Sequence, residues 1–332
     1  MSDPSSRSTS LAHERLAAAL FSQPGTNLRP LVAEDSAVVS ALIWEPILTR
    51  DPSAVAQLDK TSEQLRQAMA TSSAVVAVLD VDGRAEGALW VRAISSPPAV
   101  VFYIEELVLA PRFRQIGRGK QLLERLERAA RDSGAVGLSL DFVAHNARVE
   151  HLYARAGYGV IGLDLRRLGE PATGGAAASG GVKRCSTARE LEAVVRRIVA
   201  ERTLSRFEYP EPRLEQVREL LREALNSPRH FVLLAEARDQ ATPGYVVVQL
   251  EQSRLTGAPI IVVQALGGCA DLGGGERAQR LLTNAFARGA ELGLAGPMFL
   301  TLWEPAAELL SGLTHDAFQV VRHKMYRALT KA

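Results

Sequence analysis

Cysteine is nearly absent from this 332-residue chain. Cys185 and Cys269 are too few for a disulfide framework and lack the Cys/His spacing of a zinc site. That scarcity suits a reducing compartment, and a cytoplasmic protein is expected. An excess of either charge is also missing: 39 Lys and Arg stand against 37 Asp and Glu, giving a formal charge of +2. No basic stripe is present to follow a phosphate backbone, so nucleic acid is not an expected partner. No apolar run reaches the length of a membrane span, and residues 1–10 are polar, without the apolar core of a secretory leader. Neither export nor a membrane is expected. The six histidines fall at no ligand spacing, and no metal is expected.

What is present is a core-forming composition, 47% hydrophobic and 23% charged, in a chain long enough for two domains of about 150 residues each. Residues 170–181 read E-P-A-T-G-G-A-A-A-S-G-G, a stretch with almost nothing to bury. The chain therefore divides into an N-terminal extension (1–25) with a short amphipathic helix over 11–21, a first domain (26–169), a linker (170–182) and a second domain (183–332). In the first domain the periodicities predict strands at 28–31, 74–80, 87–94, 99–109, 137–143 and 160–166. Helices are predicted at 33–42, 62–70, 117–133 and 148–156. The fold class is mixed α/β, with an antiparallel hairpin at Asp82-Gly83 and a parallel crossover through the helix that begins at Gly117.

The second half echoes the first. Ala193-Val194-Val195 repeats Ala37-Val38-Val39 at an offset of 156, Gly244 repeats Gly87 at 157, Leu281-Leu282 repeats Leu122-Leu123 at 159, and Phe318 stands opposite Tyr158 at 160. Slow drift of this kind is what short loop insertions leave after a tandem duplication.

Chemistry concentrates in 103–158. The strand over 99–109 is apolar at both parities, which predicts cover on both faces. Regular alternation puts Phe102, Ile104 and Val108 on one side and Val101, Tyr103, Leu107 and Leu109 on the other, with Glu105 and Glu106 contributing one carboxylate to each. A desolvated carboxylate suits a general base; it equally suits a structural pair with an arginine. After Pro111 comes R-F-R-Q-I-G-R-G-K, whose Gly117 and Gly119 open a helix with Arg114, Arg118 and Lys120 around it. Bare amides at a helix start attract an anion, here a pyrophosphate. The pattern lacks the G-K-[ST] of a P-loop and the third glycine of a dinucleotide fingerprint. Further on, N-A-R-V-E-H-L-Y-A-R-A-G-Y places Asn146 as a helix cap and Tyr153 beside an apolar stripe.

Together these elements resemble the GNAT superfamily of acetyltransferases. Arg114, Gly117 and Gly119 match its [Q/R]-x-x-G-x-[G/A] motif; Asn146, Leu152-Tyr153 and Gly157-Tyr158 match its N-x-x-A-x-x-L-Y-x-x-x-G-[F/Y] segment, with Val149 where Ala is usual. The resemblance implies acetyl-CoA as cosubstrate. The backbone at Leu107, Val108 and Leu109 would pair with the pantetheine arm, and the amides of Gln115, Ile116, Gly117, Arg118, Gly119 and Lys120 would bind the pyrophosphate. Asn146 would contact the cofactor, with Tyr153 near the thioester sulfur as general acid. Glu105 and Glu106 are similar to the acidic pair of spermidine/spermine acetyltransferases, and either would be the base. The implied activity is acetyl transfer to the primary amine of a small molecule, such as a polyamine, an aminoglycoside-like compound or an amino acid. Protein acetylation and a non-catalytic acyl-CoA sensor stand as alternatives.

In the second half Gly273, Glu276 and Ala278 fall opposite Arg114, Gly117 and Gly119, and Leu313 falls opposite Tyr153. A degenerate domain is expected, binding acetyl-CoA weakly or not at all. Three roles are open to it: covering the substrate cleft, pairing two copies as a homodimer, or stabilising the first domain.

Overall fold

The architecture comes from a computed structural model that describes residues 4–23, 27–49, 55–94, 99–167, 181–201, 214–235, 244–252, 259–269, 274–292, 297–303, 310–311, 313 and 318–329. The linker expected at 170–182 lies outside the described residues up to residue 180. One compact unit takes the described residues of Met1–Phe142, Asn146–Gly159 and Met325–Ala332; a second takes those of Val143–His145 and Val160–Lys324.

Unit 1 begins with helix α1 (Pro4–Phe21), strand β1 (Leu28–Pro30), helices α2 (Ser36–Leu48) and α3 (Ala56–Thr71), and strands β2 (Val75–Val81), β3 (Arg84–Ala93) and β4 (Val101–Leu109). Helix α4 (Arg118–Asp132), strand β5 (Gly137–Val143) and helix α5 (Ala147–Arg155) follow. The strands lie in the order β1-β2-β3-β4-β5, antiparallel except for the parallel β4–β5 pair. The Asp82-Gly83 turn takes positive φ at both residues, 53° and 75°, as a two-residue hairpin requires. Both faces of the sheet are covered, which is why β2 is apolar throughout rather than alternating. Val75, Ala77 and Leu79 pack with α1 and α4, and Val76 and Val78 pack with Val39 of α2 and Leu65 of α3. Helix α1 is longer than its periodicity predicts and belongs to the core, with Leu16 and Leu20 fully buried.

Arg29 ties the first strand down. Its guanidinium donates to both Asp35 oxygens, at 2.5 and 2.9 Å, and to Asp80 at 2.6 Å. The hydrogen bonds from Arg29 hold the Asp35 carboxyl below the usual carboxylate range. A depressed folded pKa gives stability that is present above the unfolded value, about 3.9, and is lost as pH falls through the folded one. Asp35→Asn is therefore expected to cost about 1–3 kcal/mol near neutrality and to flatten the acid limb of a urea-denaturation stability profile below about pH 4. A wild-type acid limb in the variant would refute this.

Unit 2 holds strands β6 (Gly159–Arg167) and β7 (Val182–Arg184), helices α6 (Ala188–Glu201) and α7 (Leu214–Asn226), and strands β8 (His230–Ala235), β9 (Gly244–Gln252) and β10 (Pro259–Gly267). Helix α8 (Gly274–Glu291) and strand β11 (Met298–Trp303) follow, and β12 (Phe318–Ala328) belongs to unit 2 as far as Lys324 and to unit 1 from Met325. The order from β7 to β12 repeats that from β1 to β6, so the chain is two GNAT-like halves in tandem.

The final strands are not partitioned by halves. β6 pairs antiparallel with β11 in unit 2, whereas the end of β12 lies beside β5 in unit 1: Ser139 Oγ donates to the Met325 carbonyl and Leu329 N to that of Val136.

A further repeat is visible in the ladders. On β4, Ile104 pairs with Val91 and Glu106 with Trp90, leaving Glu105 as an extra residue; on β10, Val263 pairs with Val248 and Ala265 with Val247, leaving Gln264. These are β-bulges at matching places. The bulge corrects the face assignment made from alternation. Phe102, Ile104, Leu107 and Leu109 all belong to the α1/α4 cluster, and Val108 belongs to the α2/α3 cluster. The two carboxylates occupy the step at which the alternation slips, instead of opposite faces of a regular strand.

Candidate active site

Three elements converge on the end of β4. The parallel ladder between β4 and β5 runs from Val101↔Gly137 to Ile104↔Leu140 and goes no further, although β4 stays paired to β3 up to Leu109. The two strands thus open into a wedge at Glu105, and main-chain groups between Glu105 and Leu109 face it without a β5 partner in the ladder. Helix α4 starts over this edge. A Cβ built on Gly119 would lie 3.7 Å from Leu152, 3.8 Å from Leu109 and 4.0 Å from Leu107, so strand end, α4 and α5 meet there.

The loop into α4 is tightly wound. Gln115 has φ 66° and Gly117 φ 83°, the second conformation being one that glycine adopts freely. The first helical bond runs from Gln121 N to Gly117 O at 3.1 Å. The amides of Arg118, Gly119 and Lys120 thus form an uncapped first turn with Ile116 exposed beside it, an arrangement suited to an anion. Arg114 does something else. Its Nε donates to the Leu109 carbonyl at 2.8 Å and its Nη2 to Glu45 of α2 at 2.7 Å, fastening the loop to the strand end. Arg118 donates to Gln121, and Lys120 lies 3.6 Å from Glu124.

Glu105 and Glu106 are half-buried and differ in company. Glu105 is ion-paired with Arg92, whose guanidinium lies 5.2 Å from the Tyr103 ring centre. The charge of Glu106 instead reaches Tyr153. Burial first, and then Glu106, raise the Tyr153 phenol well above its ordinary pKa, so it stays protonated across the neutral and mildly alkaline range. Tyr153 is 6% exposed and meets Tyr158 edge-on, ring centres 5.4 Å apart. Asn146 caps α5, its side chain accepting from Val149 N at 3.3 Å. Between α4 and α5 lies a groove of about 630 Å³, lined by Lys120, Arg148, Arg155 and Arg327 as well as Glu124 and Glu127.

The sequence motifs miss Glu45, Arg92 and Arg327. Glu45 and Arg92 sit outside every recognisable pattern, and Arg327 is 200 residues distant from Glu127, with which it pairs.

The repeat in unit 2 carries different groups. The bulged Gln264 donates to Gln249 where Glu105 pairs with Arg92. Glu201 stands 156 residues after Glu45 and accepts from Gly268 N at 3.0 Å and from the Tyr245 hydroxyl at 3.2 Å. Arg277, buried, turns inward and donates to the Gly268 carbonyl. Both main-chain groups of Gly268 are thereby engaged within the unit.

A model of the acetyltransferase (GNAT) family matches residues 43–158, which encloses the wedge, the α4 loop and α5. These residues are similar to the GNAT family of acetyltransferases. The chain is 32% identical over 85 residues to an uncharacterized N-acetyltransferase of Bacillus subtilis, YdgE; the match takes in 26% of this chain and 54% of that protein, so the chain spans about half the length of its curated relative. The GNAT fold continues beyond the matched segment. A GCN5-related N-acetyltransferase from Sphaerobacter thermophilus superposes with a TM-score of 0.55 at 17% identity, covering 91% of this chain and 95% of that one. The glucosamine N-acetyltransferase region of a fungal multi-domain β-N-acetylglucosaminidase superposes with a TM-score of 0.57 at 12% identity, covering 90% of this chain and 37% of that one. At these identities the likeness speaks to fold. Among the described residues no cluster of His, Cys, Asp and Glu has the form of a metal site, and no helix is long and apolar enough to cross a membrane.

Proposed function

We propose that the GNAT domain of unit 1 is an N-acetyltransferase that passes an acetyl group from acetyl-CoA to the primary amine of a small molecule, with Glu106 as base and Tyr153 as acid. The observation that carries this is the wedge beside β4, which opens at Glu105 and has the uncapped first turn of α4 over its edge, with the Glu106 charge felt at a protonated Tyr153 on α5.

The residues fit the cosubstrate. The edge of β4 past Ile104, which β5 does not pair, has the spacing to hydrogen-bond an extended amide-bearing arm near Leu107, the Leu109 carbonyl being taken by Arg114, and the amides of Gln115 to Lys120 suit a pyrophosphate. The cationic groove between α4 and α5 continues from Lys120 and suits the phosphorylated nucleoside end. When bound, acetyl-CoA supplies an activated acyl group on a thiolate leaving group.

The protein's part is then positional and acid–base. A primary amine of pKa about 10 is mostly protonated at neutral pH and must lose a proton before it attacks. Glu106 accepts that proton, directly or through water. Tyr153 holds its own proton at the phenol oxygen for the departing sulfur. Most of the rate gain comes from holding the two reactants together. Glu105, neutralised by Arg92, serves the shape and charge of the bulge. Unit 2, with its Gln249–Gln264 pair and engaged Gly268, is proposed to bind acetyl-CoA weakly or not at all.

Incubating the full chain with acetyl-CoA and a panel of polyamines, amino acids and aminoglycosides, with thiol release as the readout, tests the proposal. Turnover of at least one amine is expected. Tight CoA binding by calorimetry without turnover would replace the enzyme reading with that of a CoA-binding sensor.

A further inference from the structure

The geometry points to Arg327, in the last strand of the chain, as a positioning residue for the active-site tyrosine. Arg327 holds Tyr158, and Tyr158 holds Tyr153. This inference rests on the reading of Tyr153 as the acid.

Tyr158 is 4% exposed, yet its hydroxyl makes no hydrogen bond in the structure. Its own polar atom does not fix the ring, so the ring's place depends on what packs around it. Two of its neighbours matter. Tyr153 meets it edge-on at 5.4 Å, and the Arg327 guanidinium stands 6.0 Å from its centre, within cation–π range. Tyr158 N also donates to the Tyr153 carbonyl at 3.0 Å, tying the two residues through the main chain.

Arg327 is itself held on two sides. It donates to Glu127 of α4 at 2.6 Å and to the carbonyl of Ala156, the residue that ends α5. The first bond neutralises a carboxylate buried to 4% exposure; the second caps the helix that carries Tyr153. A single guanidinium therefore joins α4, α5 and the Tyr153–Tyr158 pair. The strand bearing it is anchored beside β5, where Tyr326 lies so close over Gly137 that a Cβ there would fall 2.2 Å from the Tyr326 ring.

Removing Arg327 alone leaves Glu127 charged and buried, which risks unfolding, so the test pairs the changes as Glu127→Gln with Arg327→Met. The full chain, with its six tyrosines replaced by 3-fluorotyrosine, is observed by fluorine NMR. Tyr153→Phe and Tyr158→Phe assign the two resonances. In the paired variant both are expected to shift or broaden while Tyr103 and Tyr245, remote from Arg327 in the chain, stay in place, a pattern that a general loss of stability would not give; Tyr326, next to the substitution, is not used as a control. This reading needs no acceptor. Unchanged Tyr153 and Tyr158 resonances would overturn the inference.

With the best amine of the panel, the paired change is expected to lower kcat about tenfold with little change in the KM for acetyl-CoA, and to have almost no effect in the Tyr153→Phe background. An equal loss in both backgrounds would sink the role of Arg327 while leaving Tyr153 as the acid. If Tyr153→Phe by itself leaves kcat intact, the acid assignment falls and the inference falls with it.

Discussion

Glu106→Gln is expected to lower kcat for acetyl transfer by roughly 10²- to 10⁴-fold and to remove the acidic limb of the pH–rate profile, the range that general-base catalysis supplies. The amide keeps the shape and most of the hydrogen bonding of the carboxylate but accepts no proton. Glu105→Gln is expected to leave kcat within an order of magnitude of wild type. The difference follows from their electrostatics. Glu105 is ion-paired with Arg92 across the bulge, and the Glu106 charge is felt at the Tyr153 phenol. Steady-state thiol release across a pH series distinguishes them. A larger loss at Glu105 than at Glu106 would reverse the assignment and make Arg92 part of the acid–base machinery.

Truncation after Lys324 is expected to unfold unit 1. It removes Met325 and Leu329, which are 2% and 6% exposed in the core that also holds Leu123, Leu126 and Phe102. Large apolar side chains deleted from such cores cost about 2–5 kcal/mol each. It also strips Glu127 of Arg327, leaving a buried carboxylate with Arg131 at 3.9 Å, and breaking a buried pair on one side costs about 3–5 kcal/mol. Against a total stability of about 5–15 kcal/mol these losses are decisive. Far-UV circular dichroism and limited proteolysis of the truncated chain test the expectation. A truncated chain that melts cooperatively at the wild-type temperature would contradict it.

Much of this architecture was legible in the residues because local physics dictates it. The amphipathic face of α4, with Leu122, Leu123, Leu126, Ala129 and Ala130, reads directly from spacing, and the Asp82-Gly83 hairpin reads from turn chemistry. The glycine loop that opens α4 is a local pattern and was legible for the same reason. The bulge at Glu105 was not. One extra residue in a ladder depends on how β3 and β4 pair, and alternation along a single strand carries no trace of it. Arg114 was expected to present its charge to an anion, but the structure pairs it with Glu45, a contact across 69 residues. Arg327 was beyond reach altogether, since its role rests on which strand lies beside β5.

That last strand also bears on how the protein is made. Unit 1 contains residues up to Gly159, apart from Val143–His145, and again from Met325, and β5 lies beside the end of β12, so the ribosome must add the stretch between Phe142 and Met325 before those two strands can meet. At about 5–20 residues per second, that leaves a wait of roughly 10–40 s during which β5 has an unpaired edge. The first half, though first to emerge, thus completes its sheet only once the segment from Met325 onward has been made.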